Sequence, residues 1–261
     1  MRISFTKILE KGEKPEMPGI KATGIVIKQT EFGESNRMLS IFTKEFGIIR
    51  ASVYGAKSIK SSKGAASQLL AFSEFELSKG FSDIYTVSSA HVEESFFKLS
   101  EDIEKLSLAV YLSDITYTAL GMENADGRVL SLFLNTLYAL CYNNLEVKKA
   151  KAVYELKLMT LSGYMPVLNR CVKCGSLSGI ARFSAASGGL ICSGCAPEGV
   201  GVTKSIVDAM NYIINADTKR MFSFKASDDL ILKLGNITED YVVSQLETEF
   251  KSLKYLKSIK I

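Results

Sequence analysis

Four of the chain's five cysteines fall in one segment, CVKCGSLSGIARFSAASGGLICSGC, running from Cys171 to Cys195. They form two C-x-x-C pairs, Cys171/Cys174 and Cys192/Cys195, separated by seventeen residues. A C-x-x-C turn lets two thiolates reach one ion at about 2.3 Å, and a second such turn completes a tetrahedron. The spacing lies in the window of four-cysteine sites and predicts one structural Zn2+ per chain, held by Cys171, Cys174, Cys192 and Cys195. Gly175 and Gly194 stand beside or inside these turns, where a positive φ is often needed. The stretches IARFS and GGLIC between the pairs suit a small hairpin, as in zinc ribbons.

Other chemistries fit less well. A dithiol redox centre needs only one C-x-x-C. A catalytic zinc keeps an open coordination position, whereas four thiolates close the shell, and the single histidine, His91, lies far away in sequence. The fifth cysteine, Cys141, shares an apolar stripe with Leu134, Leu137 and Tyr138 and reads as a small buried hydrophobe. Arg170, Lys173 and Arg182 make the cysteine segment slightly basic, with Phe183 its one aromatic, which fits a solvated surface at least as well as DNA contact. No Walker loop, G-x-G-x-x-G or H-E-x-x-H occurs, and His91 beside Glu93 and Glu94 has no evident nucleophile. The expectation is a protein that is not an enzyme and has no small-molecule substrate.

Charge has a direction along the chain. The formal net charge is only +4. Arg37, Lys44, Arg50, Lys57, Lys60 and Lys63, however, are accompanied by a single acid, Glu45, whereas eight acids face two lysines between Val92 and Gly127. A basic groove interleaved with aromatics is how single strands are held, and Phe32, Phe42, Phe46 and Tyr54 lie in the same stretch. The six cations are therefore candidate DNA contacts, with a solvated loop over core aromatics as the plainer alternative. At the end of the chain, KSLKYLKSIKI places Lys251, Lys254, Lys257 and Lys260 three residues apart, a basic stripe for nucleic acid or an acidic protein partner.

The elements that must carry these groups divide in two. ATGIVIK, RMLSIFT, GIIRASVYG, FSEFELS and IYTVSSAHV are short runs rich in β-branched and aromatic residues, parted by Gly/Ser/Lys segments. Five such strands predict a small barrel over residues 21–95, of the OB type first, with an SH3-like barrel or small sandwich as alternatives. Beyond Ser100 the period becomes helical. Leu130, Phe133, Leu134, Leu137, Tyr138 and Cys141 form one stripe, and Ala150, Val153, Tyr154, Leu158 and Leu161 another. SEDIEKLSLAVYLSDITYTALG reads as a further helix. Thr203 and Ser227 are candidate N-caps, Ile206, Met210, Ile213 and Ile214 form a face, and Val242, Leu246, Phe250 and Leu253 form a last one.

The predicted class is α+β and multidomain. Residues 1–20 form an extension, the barrel follows, and a helical domain (96–165 and 203–261) is interrupted by the zinc ribbon at 166–202. VLSLFLNTLYALCY is too short and polar to span a membrane. The N-terminus lacks a signal peptide's apolar core, so the expected compartment is the cytoplasm.

GYMPVLNRCVKCGSLSGIARFSAASGGLICSGC resembles a G-Y-x-P-x-L-x-x-C-x-x-C-G…F-S…G-G-x-x-C-x-x-C segment of the bacterial RecO recombination and DNA-repair proteins. FGESNRMLSIFTKEFGIIRASVYGAK and FKSLKYL are similar to two further stretches of that family, in the same order. The resemblance implies an OB fold, a helical domain and a zinc-ribbon insertion. It implies a nucleoid-associated, non-enzymatic mediator that binds single- and double-stranded DNA, anneals complementary strands and acts with RecR. The same resemblance implies that the helical domain engages the acidic C-terminal tail of single-strand-binding protein; a helical interaction scaffold with little DNA binding of its own is the alternative. Asn36 stands where the family commonly has aspartate, Ser58 interrupts a loop that is often more basic, and the extension is unusual.

Overall fold

A computed structural model describes residues 19–57, 63–79, 83–122, 124–195 and 198–259. The first eighteen residues of the predicted extension, Ser58, Lys60 and Lys260 therefore lie outside the described residues. Five strands, β1 (Ile20–Phe32), β2 (Asn36–Thr43), β3 (Gly47–Val53), β4 (Phe72–Lys79) and β5 (Ile84–Glu94), close into a barrel of order β1-β2-β3-β5-β4. β3 pairs with β5 in parallel, at Arg50↔Ile84 through Ser52↔Thr86, and every other pair is antiparallel. This Greek-key closure is the OB arrangement and excludes the sandwich and SH3-like alternatives. A short helix, α1 (Lys63–Ala66), spans the β3–β4 connection.

Strand alternation sorts the apolar residues into two cores. Val26, Leu39, Ile41, Ile49, Ala51, Phe75 and Leu77 fill the barrel. Ile25, Ile27, Phe42 and Ile48 point outward into a second, larger core shared with the helices. The barrel wall is thus also an interface, reinforced by Lys28, whose Nζ lies 5.6 Å from the Tyr117 ring centroid. Gly47 (φ +68°) brings the β2–β3 turn against the backbone of Asn124, where an added Cβ would lie 2.5 Å from a carbonyl carbon.

The helical domain comprises α2 (Ile103–Leu120), α3 (Gly127–Tyr142), α4 (Val147–Leu161), α5 (Lys204–Asn215), α6 (Asp228–Gln245) and α7 (Lys251–Ser258). Thr203 and Ser227 cap α5 and α6, accepting hydrogen bonds from the Ile206 and Leu230 N–H groups, as expected of N-cap hydroxyls. The last apolar face is not continuous. α6 ends at Gln245, Glu247 adopts φ +49°, and Phe250 opens a separate helix. Tyr138 leaves the expected stripe and is exposed, whereas Cys141 is half-buried and packs against the core as the stripe implies.

α4 is buried along most of its length, polar residues included. Glu155 has no exposure, and its carboxylate accepts from Tyr111 Oη on α2 (2.7 Å) and Thr238 Oγ1 on α6 (2.7 Å) and pairs with Lys151 (2.8 Å). Lys151 also meets Glu239 at 2.9 Å, and Glu239 meets Lys257 of α7 at 2.5 Å. Burial pushes the Glu155 carboxyl up, against the pull of Lys151 and the hydroxyls. For Glu239 burial also acts upward, but Lys151 and Lys257 together outweigh it and hold the carboxyl below its ordinary value. Lys151→Met leaves a buried carboxylate without its cation and lowers the unfolding free energy by ~3–5 kcal/mol in urea titration. Because the Glu239 pKa is depressed in the folded state, its contribution is present above the ordinary carboxylate range and is lost as pH falls through the folded value. Glu239→Gln flattens the acid limb of the stability curve.

Candidate nucleic-acid interface and metal centre

The cysteine module is built on a small sheet of order β7-β6-β8, from β6 (Ile180–Ser184), β7 (Gly189–Cys192) and β8 (Val200–Gly201). The first C-x-x-C turn precedes it and is fastened to it, Val172 N donating to Leu190 O at 2.8 Å. The second follows β7 as a 3-10 turn, Ser193–Cys195. Gly175 has φ +76°, as expected beside a cysteine knuckle, whereas Gly194 does not have a positive φ. Phe183 packs edge-on against Tyr241 (5.5 Å between centroids) and Gln245 Nε2 donates to Ala185 O, which tie the module to α6.

The Sγ atoms of Cys171, Cys174, Cys192 and Cys195 all lie within 4.8 Å of one another, and those of Cys174 and Cys192 are 3.6 Å apart. Sulfurs at 2.3 Å from a common tetrahedral centre would be about 3.8 Å apart, so the cluster has the dimensions and donor set suited to zinc. The backbone N–H of Cys192, with those of Cys174 and Lys173, holds the Cys171 thiol down to about 6. Hydrogen bonds with the Cys174 and Cys192 sulfurs push Cys195 up to about 12. Four such donors complete a tetrahedral shell and leave no open position for substrate. The module's cations are mostly engaged internally. Lys173 pairs with Glu198 (2.8 Å), and Arg182 donates to the carbonyls of Glu198 and Gly199, which leaves Arg170 exposed.

On the barrel, the structure distributes the six basic candidates along the β2–β3 ribbon and does not gather them. Lys44 is exposed in the β2–β3 turn, Arg50 is exposed in the middle of β3, and Lys57 follows β3 at the far end. Seven residues of strand separate the two ends, about 24 Å. Lys57 N donates to Ser35 O, and Gly55 N donates to Asn36 Oδ1 (3.1 Å), so the YGAK stretch is folded onto the β1–β2 turn. Asn36 thus supplies through its amide oxygen the acceptor that an aspartate would supply. Lys57 Nζ is paired with Glu31 at 2.6 Å, and that bond holds the Glu31 carboxyl below its usual range. Lys63, half-buried, opens α1, and Lys60 lies outside the described residues.

Arg37 stands apart from the other five candidates. It is 8% exposed, and its Nη1 donates to Gly64 O (3.0 Å) and Ser67 Oγ (2.8 Å), fastening α1 across the barrel end. Even spacing along β2 hides this, because inward and outward positions differ by one residue. Of the four candidate aromatics, Phe42 is buried in the shared core and Phe46 packs on the barrel core. Tyr54, 54% exposed, stands edge-on to Phe32 at 5.9 Å and is the stacking face the barrel offers. Sequence reasoning missed Glu31 as the partner of Lys57 because β1 and the β3–β4 connection are distant in the chain.

The C-terminal stripe is also divided. Lys251 is exposed, Lys254 pairs with Glu249 (2.5 Å), and Lys257 turns back to Glu239. Lys257 lines a cavity of about 90 Å³ with Leu256, Val147, Lys148, Ile231 and Leu232. No helix among the described residues is long and apolar enough to cross a membrane. Arg37→Ala takes the donor from Ser67 Oγ and one of the two donors from Gly64 O, which keeps only Ser67 Oγ, and lowers stability by ~2 kcal/mol while strand affinity changes less than twofold. Arg50→Ala does the reverse, and thermal unfolding beside fluorescence anisotropy separates the two.

Comparison with known proteins covers both halves of this architecture. The N-terminal model of recombination protein O matches residues 17–96 and the C-terminal model matches residues 100–254. A DNA repair protein RecO from Acetivibrio thermocellus is 35% identical over 244 residues, covering 92% of this chain and 97% of the relative. One from Alkaliphilus metalliredigens is 34% identical over 245 residues, covering 92% and 99%. One from Clostridium perfringens is 27% identical over 243 residues, covering 92% and 98%. A barrel of OB order, a helical domain and a four-cysteine module, matched along nearly the whole chain, make this protein a member of the RecO family of DNA repair and recombination proteins.

Proposed function

We propose that this protein is a non-enzymatic strand-binding and annealing factor. It acts with RecR as a mediator that helps place recombinase on single strands coated by single-strand-binding protein. The observation that carries the reading is the β2–β3 ribbon of an OB-type barrel in a RecO-family chain, with exposed Lys44 and Arg50, Lys57 and Lys63 beyond them, and Tyr54 free to stack. Phosphates on these cations position a strand with little sequence preference, and the aromatic accepts any base. Double-stranded DNA meets the same cations through phosphate alone. With four to five contacts counting Lys60, log K falls against log salt with a slope of roughly −3 to −3.5 for a single strand. Arg50→Ala with Lys57→Ala flattens the slope by about 1.4. A slope unchanged in that variant, or no annealing of complementary oligonucleotides by wild type, overturns the reading. Glu31→Gln frees Lys57 from its carboxylate and strengthens strand binding at low salt.

The cysteine cluster holds one Zn2+ per chain as a closed structural brace, supported by its donor set and sulfur spacing. Metal analysis returns one zinc per chain for wild type and a substoichiometric value for Cys192→Ser. Chelation loosens the ribbon, seen as proteolysis near residues 171–201, before the barrel unfolds.

The acidic tail of single-strand-binding protein docks on the helical domain at the stripe of Lys251, Lys254 and Lys257; beside Lys257, Leu256, Ile231 and Leu232 line a cavity with Lys148 and Lys151, which offset its carboxylates Glu104 and Glu239. Lys254 and Lys257 each exchange an internal carboxylate for one of the tail. An acidic tail peptide loses affinity for the triple Lys→Glu variant at these positions while oligonucleotide binding by the barrel persists.

A further inference from the structure

The end of α3 carries an exposed aromatic pair that packing does not require. Tyr138 is 53% exposed, and its ring lies 4.9 Å from that of Tyr142. Lys98 Nζ sits 4.8 Å from the Tyr142 centroid, and the Glu94 carboxylate below is occupied by Tyr142 Oη and the Phe96 N–H. On its other side Tyr138 forms one wall of a groove of about 370 Å³, lined also by Asn135, Asn143, Thr218, Lys219 and Phe222. The groove has a fixed far wall. Asp217 accepts from the Lys219 and Arg220 N–H groups, Tyr212 Oη donates to Arg220 O, and Met221 is fully buried.

The lining has a marked chemical bias. It holds two amides, hydroxyls, an aromatic face and one ammonium, and no carboxylate. Lys219 is exposed and makes no ion pair among the described residues, and the Tyr138 hydroxyl has no hydrogen-bond partner among them. The Asn135 amide nitrogen is held by the Ser131 and Thr218 hydroxyls at 3.2 and 3.1 Å, which leaves its carbonyl oxygen and the Asn143 amide to the groove. A flat ring, these groups and a free cation suit an unpaired nucleotide: the base stacks, the Asn143 amide and the Asn135 oxygen meet base edges, and the ammonium meets phosphate. One ammonium gives an acidic peptide a single charge contact, whereas an exposed ring face gives each unpaired base a stacking surface.

We propose that this groove, continued over Tyr138 and Tyr142 toward Lys98, is a second single-strand site, distinct from the barrel. It rests on the reading of the protein as an annealing factor and deepens it, because two strands held on one protein meet at a high effective concentration. The barrel takes the first strand, and the α3 groove takes bases of the second.

The test uses the full chain and fluorescent oligothymidylate of roughly a dozen nucleotides, a length within one OB-fold site, with oligodeoxyadenylate of the same length as its complement in the annealing arm. Binding stoichiometry and annealing rate are measured for wild type, Tyr138→Ala with Lys219→Ala, Tyr138→Phe, and Arg50→Ala with Lys57→Ala. Thermal unfolding of each variant checks the fold. The proposal expects two oligonucleotides per chain for wild type and one for the groove variant. First-strand affinity changes less than twofold in that variant, and annealing slows about tenfold. Tyr138→Phe keeps the ring and retains both. Unchanged stoichiometry and annealing in the groove variant overturn the proposal, as does a loss shared equally by Tyr138→Phe. A groove variant that loses binding of an Asp/Glu-rich peptide but keeps both oligonucleotides overturns it in favour of a protein site. Failure of the barrel reading is separate: it shows as an Arg50/Lys57 variant with wild-type first-strand affinity, whatever the groove variant does.

Discussion

A carboxylate with no access to water sits at the centre of the helical domain, and the packing around it follows from the need to satisfy it. Glu155 lies on the central helix and draws one partner from each of three helices: Tyr111 from α2, Lys151 from its own α4 and Thr238 from α6. An apolar residue in its place would pack in several registers, whereas a buried charge accepts one arrangement and makes the others costly. The chain continues outward through Glu239 to Lys257, so the last helix is held by the same electrostatic thread. Lys157, two residues on and so on another face of α4, repeats the logic, giving both its short bonds to the carbonyls of Ile214 and Ala216 at the end of α5, where a cation suits the helix dipole.

That rigid body determines what the barrel can present. Ile25, Ile27, Phe42 and Ile48 commit one side of the wall to the helices, and Arg37 commits one end to α1. The basic part of what is left to solvent is the ribbon carrying Arg50, with Lys44 at one end and Lys57 at the other, while β4 and β5 expose Glu74, Glu76 and Glu93. Several of the protein's surface cations already have carboxylate partners, Lys57 with Glu31 and Lys254 with Glu249 among them. Exposed pairs of this kind are weak and screened by salt, so an incoming phosphate or acidic peptide exchanges one anion for another at little cost. Selectivity then comes from the number of contacts made together and from the aromatic faces between them.

Much of this was legible in the sequence. The five strands, the change of period after Ser100, the caps at Thr203 and Ser227 and the four-thiol cluster each rest on local patterns that survive folding, and all reappear in the structure. What escaped depends on neighbours distant in the chain. Nothing local marks Arg37 as inward, since its partners come from a loop some thirty residues later. Nothing marks Glu155 as buried, because its helix reads as ordinarily amphipathic until α6 closes over it. The stripe drawn through Leu246 and Phe250 failed for a backbone reason, the left-handed turn at Glu247, that periodicity cannot register. The exposed tyrosine at 138 was assigned to the core because a stripe of apolar residues does not say where the stripe ends.

The cysteine module divides the helical domain in sequence, yet both ends of the insertion return to the same small sheet. Val167 bridges to Gly189 on the way in, and Val202 N bonds to Ala181 O on the way out. α4 must wait for α6 before Glu155 is satisfied, and the chain between them passes through this module. An unstructured insertion of about forty residues closes that loop at a larger entropic cost than a folded module that acts as a connection of about ten. By the logarithmic dependence of closure entropy on length, the difference is worth about 1 kcal/mol, gained in the search and before any helix contact forms. The small sheet therefore bears on chain closure as well as on the finished shape: with both ends of the insertion returned to it, the two halves of the domain are joined by a short span.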